Sequence, residues 1–154
     1  MKFVVVDVQG YVINSTFTVK ELAIYDGKYL KSFLFKPTLK YSSLYTADRK
    51  TYHNIHGISY SAGNVEYSEI NNILENNLSS FDIIFVKGQV KVDVLRKYFA
   101  EWTHIVNLEN SVSSQVPQLE PTKENCDNHK LKYSNCSIRN VYVVSDYIYK
   151  KLIE

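Results

Sequence analysis

The sequence predicts an α/β domain in which three antiparallel strands precede alternating helices and parallel strands. Two observations predict this order. Up to residue 35 the apolar residues follow strand-like patterns around a hairpin signal at Asp26-Gly27. From residue 45 onward, segments with helical spacing alternate with short apolar runs. The length of 154 residues suits one domain that covers residues 1–154.

The first three strands are predicted as a meander. Residues 2–8 form a buried strand, because they are mostly apolar and β-branched, and Gly10 opens a turn after it. Residues 11–25 form the second strand in loose apolar alternation. Residues 29–35 return as the third strand after the Asp26-Gly27 hairpin.

The remaining chain is predicted to alternate between helices and strands. Residues 45–53 form a short helix, and residues 67–78 form a helix because their apolar positions recur at helical spacing. Residues 83–86 are a compact apolar run that indicates a buried parallel strand. The last elements are a helix over 91–100, a strand over 104–108, a polar loop over 109–135 and a closing helix over 137–153.

Composition excludes some classes of protein. The net charge of +2 is too small to indicate nucleic-acid binding by itself. No apolar run approaches the roughly 18 residues that span a bilayer, so no membrane partner is expected. Two cysteines without a secretory signal predict an intracellular location, cytoplasmic or nuclear.

The first strand carries one carboxylate, Asp7, within the apolar run Val4–Gly10. Residues i and i+2 of a strand share a face, so Asp7 and Gln9 face the same site. Two-metal catalysis needs several convergent carboxylates, and the amide of Gln9 has no negative charge to hold a cation. The alternative is that Asp7 is a strand carboxylate satisfied by backbone donors.

Three segments in order resemble the motifs of the DEDD-type 3′–5′ exonucleases, which have a ribonuclease H-like fold. They are Val6-Asp7-Val8-Gln9-Gly10, Asn54-Ile55-His56-Gly57-Ile58-Ser59 and Val86-Lys87-Gly88-Gln89-Val90-Lys91-Val92-Asp93. The first is similar to the family's Asp-x-Glu strand, the second to its His-Gly-Ile-Thr loop and the third to the segment that brings a further aspartate. The resemblance implies a ribonuclease H-like fold, with Asp7 and Asp93 as catalytic acids that hold Mg²⁺ or Mn²⁺.

The chain departs from this family in its acids. The family uses four carboxylates, but Gln9 replaces one, and the last helix has no acid in its first turn. Two ligands of four hold magnesium poorly, so we expect metal-dependent cleavage to be weak or absent. Asp93 has the alternative of a solvated helix position or N-cap. An active exonuclease would need other acids, such as Glu109 or Asp127.

A second constellation consists of Cys126-x-x-His129 and Cys136, where the polar loop enters the last helix. Thiolates and an imidazole at this spacing suit a tetrahedral zinc ion. Glu21 lies in an apolar strand, where an unpaired charge is costly. The alternatives are free thiols or a disulfide for the cysteines, and a nearby lysine or backbone group as the partner of Glu21.

This set resembles the Maelstrom domain, a ribonuclease H-like fold that acts in small-RNA silencing of transposons. That family has lost the exonuclease acids and carries a Glu-Cys-His-Cys zinc site. The resemblance implies that Glu21, Cys126, His129 and Cys136 hold one structural zinc ion, and that the chain acts with RNA.

Basic residues supply the last candidate site. Lys87, Lys91 and Arg96 lie close in sequence, and Arg139 opens the last helix, whose N-terminus can attract phosphate. Basic clusters interleaved with tyrosines suit single-stranded nucleic acid, although a solvated charged face is the alternative. The sequence thus predicts a degenerate exonuclease-fold protein that binds single-stranded RNA or DNA. A pseudonuclease scaffold for a protein partner and an active exonuclease are the other hypotheses.

Overall fold

The computed structural model describes residues 1–55, 57–99, 104–109, 128–129 and 135–153. These residues form a five-stranded mixed sheet with helices on both faces. The strands are β1 (Phe3–Ile13), β2 (Thr16–Tyr25), β3 (Leu30–Leu34), β4 (Ile83–Val86) and β5 (His104–Asn107). The α-helices are α1 (Thr46–Ile55), α2 (Ile70–Leu78), α3 (Gln89–Tyr98) and α4 (Ser137–Ile148), with short 3-10 turns at Tyr41–Ser43 and Tyr67–Glu69 and a π-helical end at Tyr149–Ile153.

The sheet order is β3-β2-β1-β4-β5. The first three strands pair antiparallel, whereas β4 runs parallel to β1 and β5 runs parallel to β4. The predicted α/β class, with antiparallel strands first and parallel strands after them, is confirmed. Within the described part of the chain, no helix has the length and apolar character that a bilayer crossing requires.

The predicted turn at Gly10 is wrong, because β1 continues through it to Ile13. The pairing of β1 with β2 shifts register between Gln9 and Gly10, which makes a β-bulge. A β-carbon on Gly10 would overlap the carbonyl oxygen of Thr18, so the glycine permits a close approach of the two strands. The turn itself lies at Asn14 and Ser15, both of which have positive φ.

Alternation along β1 distributes its side chains between two cores. Val4, Val6 and Val8 face the core that also contains the buried residues of α2 and α3. Val5 faces the core that contains the buried face of α4. Since Asp7 shares the parity of Val5, β1 presents this carboxylate on the face of the sheet that α4 covers.

Candidate metal centre and polar cleft

Three separate parts of the chain bring Glu21, His129 and Cys136 together. Glu21 is on β2, opposite Gln9 in the antiparallel register. His129 is positioned by an isolated antiparallel bridge with Ile58. Cys136 is the N-cap residue of α4. The predicted ligand Cys126 lies outside the described residues.

The ligand atoms of Glu21, His129 and Cys136 all lie within 4.8 Å of one another. The side chains of Glu21 and His129 are fully buried, and Cys136 is buried as well. His129 Nε2 lies 3.2 Å from each carboxylate oxygen of Glu21. The structure therefore brings together three of the four predicted ligands in a cluster that can hold a metal ion.

The carboxylate of Glu21 accepts several hydrogen bonds from its surroundings. Ser137 N donates to Glu21 Oε1 at 2.8 Å, and Asn128 Nδ2 donates to Oε2 at 3.0 Å. Burial alone would raise the pKa of Glu21, but His129, Asn128 and the backbone of Ser137 outweigh burial and hold the pKa below its ordinary value. The site thus offers an ionised carboxylate, an imidazole and a thiol, which are the ligand types that zinc binds.

Asp7 lies in a second polar cluster on the same face of the sheet. It is 3% exposed. Asn140 Nδ2 donates to Asp7 Oδ2 at 3.0 Å, Gln9 Nε2 donates to the same oxygen at 3.3 Å, and Lys91 Nζ lies 3.4 Å from Oδ1. Burial raises the pKa of Asp7, and Lys91, Asn140 and Gln9 offset part of that rise. Within the described part of the chain, Asp7 is therefore paired with side chains and not with the backbone donors considered from the sequence.

This cluster lies where the parallel strands β4 and β5 end. Gly88 follows β4 and Glu109 follows β5, and their backbone N–H groups donate to Asn107 Oδ1 at 3.0 and 3.1 Å. Ligands of open α/β sheets bind outside the carboxyl ends of the strands. A groove of about 260 Å³ opens beside the cluster. Its lining includes Gln9, Phe17, Val90, Lys91, Asn135 and Asn140.

Asp93, the second predicted acid, has a different environment from Asp7. It is exposed on α3 and accepts a hydrogen bond from Gln89 Nε2 at 3.0 Å. Asp7, in contrast, contacts Gln9, Lys91 and Asn140. The placement of Asp93 agrees with the alternative of a solvated helix position.

The four predicted nucleic-acid-binding residues differ in exposure. Lys87 is buried, and Lys91 is directed at Asp7 with 18% of its side chain exposed. Arg139 is half-buried and donates through Nη2 to Asn140 Oδ1 at 2.8 Å. Of these four residues, Arg96 is the exposed one. They do not present one continuous solvated charged face.

Sequence reasoning missed two amides that complete these sites, Asn140 and Asn128. Asn140 follows Cys136 by four residues, and on α4 it shares a buried face with Val141, Val144 and Ile148. An amide among such apolar positions is a signal of a buried partner. Asn128 carried no comparable signal, because it lies in a polar stretch rich in asparagine.

No protein-family model, curated protein or solved structure matches this chain.

Proposed function

We propose that this chain is a nucleic-acid-binding protein of the ribonuclease H-like class, which binds single-stranded RNA and does not cleave it by two-metal catalysis. The environment of Asp7 carries the proposal. Two-metal cleavage needs several carboxylates that hold two cations and neutralise the developing charge. Beside Asp7, the amides of Gln9 and Asn140 and the ammonium of Lys91 occupy the near positions.

The sheet supports the assignment to this class of fold. A three-stranded meander leads into two parallel strands, and β1 lies at the centre of the sheet with Asp7 on it. The closing helix α4 covers the face on which Asp7 lies. This arrangement agrees with the order of elements in the resemblance to DEDD-type exonucleases and the Maelstrom domain.

A structural zinc ion is the second part of the proposal. The buried set of Glu21, His129 and Cys136 supports it, because a carboxylate, an imidazole and a thiolate form a set that zinc accepts. Cys126 is the fourth ligand in this proposal. A site with four protein ligands has no open position, so the zinc would organise the fold and take no part in a reaction.

Single-stranded RNA suits the chemistry of the surface. The groove beside Asp7 combines amides, the ring of Phe17 and the ammonium of Lys91. Exposed aromatic side chains lie elsewhere on the chain, with the guanidinium of Arg49 over the ring of Tyr41 at 5.9 Å. Aromatic and cationic side chains together bind single strands with little dependence on sequence.

The test is binding and cleavage of end-labelled single-stranded RNA in magnesium, in manganese and in EDTA. We expect binding in all three conditions, weakening as salt rises, and no cleavage. Lys91→Gln combined with Arg96→Gln should weaken binding, while Lys28→Gln, which removes an exposed charge at the β2–β3 turn, should not. Shortening from the 3′ end that requires metal and Asp7 would instead establish an active exonuclease. A folded protein that binds no RNA would favour the scaffold for a protein partner.

A further inference from the structure

We infer that Lys91 is a built-in cation of the cleft, whose ammonium takes the place of a divalent metal beside Asp7 and keeps such metals out. This role of Lys91 depends only on the positive charge of its ammonium. The extension of this role to ligands, namely that phosphate groups bind there without metal, rests on the proposed function.

Two protein oxygen atoms lie close to the ammonium of Lys91. Lys91 Nζ lies 3.4 Å from Asp7 Oδ1 and donates to the backbone oxygen of Lys87 at 3.1 Å. A β-carbon placed on Gly88 would be 3.4 Å from Lys91 Nζ and 3.9 Å from Glu109 Oε2, so both side chains border this glycine. Carboxylate and backbone carbonyl oxygens are the ligands that Mg²⁺ and Mn²⁺ prefer.

The backbone fixes the ammonium in this position. Lys91 lies in the first turn of α3, three residues after the N-cap residue Gly88, whose φ of +125° favours glycine. The carbonyl that accepts its hydrogen bond belongs to Lys87, four residues earlier. The ammonium therefore contacts protein oxygens, while the side chain, which is 18% exposed, also lines the groove.

Electrostatics explains the exclusion of a metal. The ammonium pairs with the Asp7 carboxylate, which would otherwise be available to a divalent cation. A divalent ion among the same oxygens would stand within a few Å of a fixed positive charge and be repelled. An anion in the groove meets that positive charge directly.

The experiment uses electron paramagnetic resonance to measure Mn²⁺ binding to the full chain as purified. Lys91→Met should bind Mn²⁺ at least about tenfold more tightly than the wild type, because the repelling charge is gone. Adding Asp7→Asn should abolish the gain and thereby place the ion in the cleft. Lys91→Arg, which keeps the charge, and Lys97→Met, which removes an exposed charge from the same helix, should match the wild type.

Two outcomes would overturn the inference. One is a Lys91→Met protein, folded by circular dichroism, that binds Mn²⁺ no better than Lys97→Met. The other is a wild type that already binds Mn²⁺ in a manner that depends on Asp7. If Lys91→Met fails to fold, Lys91→Gln applies the same test with a polar side chain. Absence of RNA binding would overturn the proposed function while leaving the Mn²⁺ result intact, so the two failures are distinguishable.

Discussion

Lys20 is a fully buried cation on β2, on the opposite face from its neighbour Glu21. Its ammonium donates to the carbonyl oxygens of Phe35 at 2.9 Å and Tyr60 at 2.8 Å, and also to that of Ala62. Burial lowers its pKa to about 8. These bonds tie β2 to the segment after α1, so Lys20 belongs to the scaffold and is not the partner of Glu21.

Replacing Lys20 with methionine should lower the free energy of unfolding at pH 7 by about 2–4 kcal/mol, because buried carbonyl groups lose their donor. Urea denaturation measures this change. Lys28→Met removes an exposed lysine from the adjacent turn and should leave stability nearly unchanged. A Lys20→Met protein as stable as Lys28→Met would show that other donors replace the ammonium.

The same residue predicts a pH dependence. Below pH 8 both the folded and the unfolded chain carry the proton of Lys20, so the cost of the buried ammonium is fully present. As pH rises from about 8 to 10.5, the folded chain releases this proton first, and the cost disappears. The wild type should therefore gain stability relative to Lys20→Met over this interval. Urea denaturation of both proteins at pH 7 and pH 9.5 checks the sign, and a narrowing gap would contradict it.

The amide of Gln9 lies beside the carboxylate of Asp7 in the cleft. Gln9→Glu introduces a carboxylate where the DEDD-type exonucleases that this sequence resembles have one, but we expect no metal-dependent cleavage, because Lys91 still occupies the cleft. The new oxygen would face Asp7 Oδ2, which the amide nitrogen now contacts at 3.3 Å, and should cost about 1–3 kcal/mol of stability. Unfolding and RNA-cleavage assays check both expectations, with Gln9→Met as the uncharged control. Cleavage by Gln9→Glu in magnesium would show that Lys91 does not exclude divalent metal ions from the cleft.

At the scale of elements, the bulge in β1 depends on Gly10. Gly10→Ala should destabilise the protein by about 1–3 kcal/mol, because the added methyl group overlaps the Thr18 carbonyl and approaches Phe17 Cζ at 2.7 Å. The thermal midpoint measures the effect. Ser15→Gly in the following turn is the matched control and should be nearly neutral or stabilising, since Ser15 has a φ of +66°. Equal midpoints for Gly10→Ala and the wild type would mean that the strands can separate to accept the methyl group.

Sequence patterns predicted most elements because their signals are local. The hairpin signal, a compact apolar run and helical spacing placed β3, β4 and α2, respectively, within a few residues of their observed bounds. Gly10 misled the prediction, because a glycine that ends a strand and a glycine that forms a bulge have the same local pattern. What distinguishes them is the approach of Thr18 from the neighbouring strand.

The two sites differ in how far residue types could predict them. Glu21 and His129 are 108 positions apart, yet their chemistry predicted one candidate metal site. Glu21 is a carboxylate in an apolar strand, and His129 has the Cys-x-x-His spacing that suits zinc. The cleft was harder to predict. Lys91 carries the pattern of a surface lysine, and its contact with Asp7 arises from the packing of α3 beside β1. No local feature distinguishes such a lysine from one that binds RNA.

For the whole molecule, the candidate metal centre joins parts that are distant in sequence. The Glu21–His129–Cys136 cluster connects β2, the bridge at Ile58 and the start of α4. If zinc occupies it, each chain should contain one zinc ion by elemental analysis. Chelation should then lower the free energy of unfolding by several kcal/mol, up to roughly 10. Hydrogen exchange should accelerate most at the first turn of α4 and in β2.

Variants separate zinc from a simple buried ion pair. Cys136→Ser and Cys126→Ser should each lose zinc and stability, whereas Asp7→Asn, in the neighbouring cleft, should retain the metal. A buried Glu21–His129 ion pair needs neither cysteine and no metal. In that case, the protein would contain no zinc, and a chelator would leave the free energy of unfolding unchanged. Cys136→Ser would lower this free energy only slightly, because a buried thiol becomes a hydroxyl. Zinc content therefore decides whether a metal or only side-chain contacts hold α4 against the sheet.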